Sequence, residues 1–165
     1  MSQPSGSGTA HVVESRSCAP WLMVILKWLL IVIAAVIVLA VLAGQMGLLQ
    51  GKTPSNLGVR DGRLKPPSKT PNSVSSQAAL YPDHPRLDYS RIEPLALKGD
   101  GAATLARIKT IVEGMRGAQV VKSEPGYVYA QFTTPLMKFV DDCEFWLDPA
   151  ANVIQVRSSS RVGHG

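Results

Sequence analysis

Phe139–Ser160, FVDDCEFWLDPAANVIQVRSSS, is the stretch whose reading decides the fold. Two runs with a period of two, Phe139–Asp148 and Val153–Ser160, flank Pro149–Asn152, and this pattern reads as an antiparallel hairpin. A four-residue loop sets Asp148 opposite Val153. One face then pairs Leu147 with Ile154, Phe145 with Val156 and Cys143 with Ser158. The other pairs Glu144 with Arg157 and Asp142 with Ser159, beside Trp146 and Gln155. A slip of one residue would place Arg157 against Cys143 and mix the faces, which excludes it.

Working back along the chain, Gln119–Ser123, the turn Glu124-Pro125-Gly126 and Tyr127–Thr133 form a first hairpin, with Thr134–Lys138 as the loop between hairpins. Before it, Asp100 is placed to cap a helix over Ala102–Met115, whose Leu105, Ile108, Ile111, Val112 and Met115 recur at helical spacing. Arg107, Lys109 and Glu113 take its other faces, and Gly114–Gly117 ends it. Tyr81–Leu97 carries Pro82, Pro85 and Pro94, so it is irregular or an edge strand, with His84 exposed and solvated. Ser73–Gln77 reads as turns or caps. No G-x-S-x-G elbow surrounds Ser75 or Ser76, so neither is taken as a nucleophile. The fold class is α+β, an antiparallel sheet of about four or five strands with one packed helix.

The other organising element is Trp28–Gly44, WLLIVIAAVIVLAVLAG, which is uncharged and apolar on all faces. At 1.5 Å per residue it covers about 26 Å, and extension through Leu49 exceeds the roughly 30 Å of a bilayer core. Lys27 and Trp28 suit the headgroup boundary, while Trp21–Leu26 either lengthens the helix or lies along the surface. Val41 and Ala43 also satisfy the small-residue rule for signal cleavage before Gly44. The run exceeds a signal core in length, and an uncleaved anchor is the preferred reading. Arg16 and Lys27 precede the span and Lys52, Arg60 and Arg63 follow it, so local charge does not set orientation. The expected arrangement has the N-terminus in the cytoplasm and the C-terminal domain outside a bacterial inner membrane. The chain divides into a disordered tail (1–20), a single transmembrane anchor (21–49), a basic Pro-rich linker (50–70) and the domain (71–165).

The formal charge of +5 belongs to the linker, where Lys52, Arg60, Arg63, Lys65 and Lys69 face only Asp61. Acids and bases balance beyond Ser76, which argues against nucleic-acid binding. A basic segment beside a membrane either rests on anionic lipid, at about 1 kcal/mol per cation, or stays extended in solution through its prolines; the soluble linker is preferred. Cys18 and Cys143 flank the span and cannot pair, and no thiol and imidazole set suggests a metal or a cofactor.

The polar face of the hairpin carries the candidate cluster: Asp142, Glu144, Arg157, Ser159 and Arg161, with Asp141 turned to the apolar side. In one reading the acids bind a cation or act as acid and base, or the arginines and serines of RSSSR grip an anion. In the other, preferred for Glu144 and Arg157, these are ion pairs on a solvated face worth under about 1 kcal/mol each. Asp141, pointing inward, requires a partner or a raised pKa.

PNSVSSQA at Pro71–Ala78, IEPL at Ile92–Leu95, FVDDCEFWLD at Phe139–Asp148 and IQVRSSSRVGHG at Ile154–Gly165 together resemble the bacterial domain of unknown function 1499 family. The resemblance runs from Leu64 to the C-terminus, and DDxEF followed by VRSxSR is its most specific part. Two departures stand out. Pro67 and Ser73 occupy positions where family members often carry cysteines, and the family's usual Asp-Leu-Gly-x-Asn-Arg continuation and terminal helix do not follow, which suggests a fragment. The resemblance implies no activity. A non-enzymatic envelope module is therefore the leading expectation, touching the lipid bilayer and, through the linker, anionic lipid or another envelope protein. The second is a hydrolase or ligand-processing enzyme using Asp141, Asp142 and Glu144 with Arg157 and Arg161; no catalytic residue is assigned.

Overall fold

Strand pairing follows the side-chain alternation. In the computed structural model, which describes residues 20–162, the second hairpin consists of Val140–Asp148 and Val153–Ser160 in the register derived above, from Asp148 opposite Val153 to Asp142 opposite Ser159. Cys18 and the tail before residue 20 lie outside the described residues.

Numbered in chain order, the elements are α1 (Pro20–Gln45), β1 (Ser73–Ser75), α2 (Leu87–Ser90), β2 (Leu95–Ala96), α3 (Gly101–Glu113), β3 (Ala118–Glu124), β4 (Tyr127–Thr133), β5 (Val140–Asp148) and β6 (Val153–Ser160). The six strands form one antiparallel sheet in the order β1-β6-β5-β4-β3, with β2 also on β6. The fold is α+β, and the sheet is larger than expected because the outer edge of β6 collects two short strands. Ser73–Ser75, read as a turn, is one of them. Its neighbour Ser76 donates from its hydroxyl to Gln155 Oε1 at 2.6 Å and accepts the Val156 amide at 2.8 Å, so serines that favour turns in isolation are recruited by an open strand edge.

α1 is long and apolar enough to cross a membrane, with a mean hydropathy of 3.0 over its most apolar window. Trp21–Leu26 lengthens this helix. The helix ends at Gln45, before the expected Leu49, because Gly47 adopts φ +79° and the Leu48 amide closes back on the Ala43 carbonyl at 3.1 Å.

In the domain, the Asp100 carboxylate accepts the Ala103 amide at 2.7 Å and so caps α3 as expected. Leu105 and Val112 from α3 pack on Val128, Ala130, Cys143, Phe145 and Ile154. Ile111 and Met115 remain exposed, so the buried stripe of this helix is narrower than its apolar residues suggested. A bulge at Val121 in β3 separates the pairs Val120–Ala130 and Lys122–Tyr129.

The opposite face is covered too. Arg60 and Arg63 exchange backbone hydrogen bonds at 2.9 and 3.0 Å around Asp61 (φ +51°) and Gly62 (φ +67°). Two consecutive positive φ angles make this a type I′ turn, the geometry that an Asp-Gly pair favours. Beside the turn, Leu57, Val59 and Leu64 pack on Tyr127, Tyr129 and Trp146, and Leu64 is only 2% exposed. Gln77 locks this strap, accepting the Leu64 amide at 2.8 Å and donating to the Gly62 carbonyl at 3.2 Å. The segment read as an extended linker is therefore, from Leu57 to Leu64, a layer of the domain.

Candidate functional site

The site is the face between strap and sheet. Alternation along β5 and β6 aims Asp142, Glu144, Arg157 and Ser159 to this side, and alternation along β4 adds Tyr127 and Tyr129. Asp142 and Glu144 are fully buried, and Arg157 is 3% exposed. The solvated face of weak ion pairs is thus replaced by a buried charge network. The reason is the strap, which excludes water from strands that local pattern alone would leave wet.

Each carboxylate accepts three hydrogen bonds. Glu144 Oε1 accepts from the Gly58 amide and the Tyr127 hydroxyl, both at 2.7 Å, and Oε2 accepts from Arg157 Nη1 at 3.3 Å. Asp142 is gripped by both arms of Arg161, Nε to Oδ2 at 2.8 Å and Nη2 to Oδ1 at 2.7 Å, and also accepts from the Tyr129 hydroxyl at 2.5 Å. Such a two-pronged fork is the strongest arrangement an arginine makes with a carboxylate. The hydrogen bond to Asp142 holds the Arg161 guanidinium above its ordinary pKa. Burial first, and hydrogen bonding to Glu144 and Asp142 second, raise the pKa of Tyr127 and Tyr129. Both phenols therefore stay protonated and donate.

The two arginines differ in how fully they are used. Arg157 makes one long bond to Glu144, and its buried Nε finds no acceptor among the described residues. A buried donor left unpaired costs roughly 1–3 kcal/mol. Beside it, between the strap and the end of β6, lies a recess of about 690 Å³ whose walls include Lys52, Lys65, Asp142, Arg157, Ser159 and Arg161. Among the described residues no group of His, Cys, Asp and Glu is arranged to hold a metal ion.

A family described as Protein of unknown function (DUF1499) matches residues 63–165. The chain belongs to that family. No curated protein and no solved structure matches it. The matched region of this DUF1499 chain begins one residue before Leu64, the residue that anchors the strap.

The structure brings Asp142, Glu144, Arg157, Ser159 and Arg161 together and separates Asp141 from them. Asp141 faces the α3 side of the sheet but is only half-buried, beside a shallow recess with Val74, Tyr89 and Ser158, so solvent removes the need for an inward partner. His84 is half-buried instead of exposed, its Nδ1 accepting the Arg86 amide at 3.2 Å. Ser75 is buried and accepts the Gln77 amide, a structural task. Cys143 lies in the core, where burial pushes its thiol up to about 12, leaving no thiolate for chemistry at neutral pH. Sequence reading missed Tyr127, Tyr129, Gly58 and Gln77. The signal for the strap was present in VRDGRL at Val59–Leu64, an Asp-Gly pair between apolar residues.

Proposed function

We propose that this DUF1499 protein is a single-pass membrane protein whose α+β domain is a non-enzymatic binding module, held outside the cytoplasm at a bacterial inner membrane. One observation carries the reading: both carboxylates of the buried face are held by three donors each from the same chain. A general base or nucleophile needs an accessible carboxylate oxygen, whereas Asp142 and Glu144 are fully buried and every one of their oxygens already accepts a hydrogen bond. The cationic side of the network, in contrast, keeps donors available at the recess. For localisation, the support is the length and apolar character of α1.

Two measurements test this. The purified chain is expected to turn over chromogenic carboxyl esters, phosphoesters and glycosides no faster than its Asp142→Asn/Glu144→Gln double variant. Turnover lost in that variant would establish an enzyme. Reporters fused after Gly165, one active only outside the cytoplasm and one only inside, are expected to show outside activity; inside activity would overturn the orientation and redirect attention to cytosolic partners.

A further inference from the structure

We propose that the recess at the end of β6 is an anion site that takes a phosphate group, with Arg157 as its principal ligand. The proposal rests on the binding-module reading and names the ligand class of that same site.

The argument begins with the donors. An arginine carries five N–H donors in a planar fork and never loses its charge at physiological pH. Arg157 uses one, in a 3.3 Å bond to Glu144, and its Nε–H has no acceptor among the described residues although the side chain is only 3% exposed. Arg161, by comparison, commits Nε and Nη2 to Asp142. Arg157 lines the recess, so an oxyanion entering it meets a buried guanidinium whose fork is open.

The rest of the wall has the matching chemistry. Lys52 and Lys65 come from the strap side and Ser159 from β6, two residues beyond Arg157 on the same face. Asp142 is the sole carboxylate of the wall; Arg161 neutralises it and the Tyr129 hydroxyl donates to it. Positive charge therefore exceeds negative, which excludes a cation as the occupant. The charges line one open recess instead of running along a track, which favours a single phosphate over a nucleic-acid backbone. Sequence reading had offered RSSSR as an anion grip. The structure refines it: of its two arginines, the first holds the free donors, and the second orders the wall.

A phosphate group in this position has two natural sources, free inorganic phosphate and the head group of a phospholipid. Phosphorus-31 linewidths of inorganic phosphate and of glycerol 3-phosphate, titrated with the full chain in a neutral detergent, separate them. Both probes are expected to broaden with the wild-type chain, and affinity is expected to fall about tenfold or more in Arg157→Lys, which keeps the charge and loses the fork. The paired variant Glu144→Leu/Arg157→Met removes the buried charge as a unit and preserves folding, as read by circular dichroism; it is expected to abolish broadening. Tighter binding of glycerol 3-phosphate than of phosphate assigns the site to a lipid head group, and equal binding assigns it to the free ion. Absence of broadening with the wild-type chain, or broadening unchanged in both variants, overturns the anion site and leaves the binding-module reading standing. Release of phosphate from glycerol 3-phosphate that is lost in Arg157→Lys overturns the binding-module reading and leaves the anion site standing.

Discussion

Glu144→Ala is expected to destabilise the domain by about 3–5 kcal/mol, the effect of stranding one member of a buried ion pair. The substitution leaves Arg157 charged at 3% exposure, and it removes the acceptor of the Tyr127 hydroxyl and the Gly58 amide. Total stabilities of small domains are about 5–15 kcal/mol, so such a loss brings the fold close to its threshold. Urea unfolding of the full chain in a nonionic detergent, followed by near-ultraviolet circular dichroism, measures it. The diagnostic comparison is Glu144→Leu with Arg157→Met, which removes both charges and is expected to recover the part of the loss due to the stranded arginine, leaving the cost of the unpaired Tyr127 hydroxyl and Gly58 amide. A loss under about 1 kcal/mol in Glu144→Ala would mean that water reaches this face and that the ion pair is a surface pair after all.

Leu64→Ala is expected to lower stability by about 2–5 kcal/mol and to do so unevenly. Leu64 is 2% exposed against Tyr127 and Tyr129, and its amide is bonded to Gln77, so its side chain and backbone together fasten the strap. Losing that contact is expected to loosen Leu57–Leu64 before the β3–β6 strands, which hold one another by continuous ladders. Limited trypsin digestion at Arg60 and Arg63 reports the strap, and amide exchange reports the strands. Cleavage should accelerate at the two arginines while exchange in β5 stays slow. Cleavage at the wild-type rate would show that Leu64 does not hold this layer in place.

Both predictions concern the covered polar face, and they mark where local reasoning stopped. The register of β5 and β6 was legible because it depends on contiguous residues: a four-residue loop and strict alternation leave one alignment that keeps Cys143, Phe145 and Leu147 together. The cap of α3 was legible for the same reason, since Asp100 acts on an amide three residues away. β1 was not, because a serine-rich triplet becomes a strand only when a partner edge from the other end of the domain is present.

By itself, then, the sequence determined an apolar helix able to span a bilayer, an α+β domain, the register of the second hairpin, and the side chains of that hairpin that share the polar face. Tertiary structure decided whether that face is wet. Alternation states which residues point the same way and is silent about what lies above them. The strap joins Gly58 to Glu144 and Leu64 to Tyr127 across long stretches of chain. Closing those loops adds only a slowly growing entropic cost, whereas removing water from Asp142, Glu144 and Arg157 changes their electrostatics from surface pairs to a buried network.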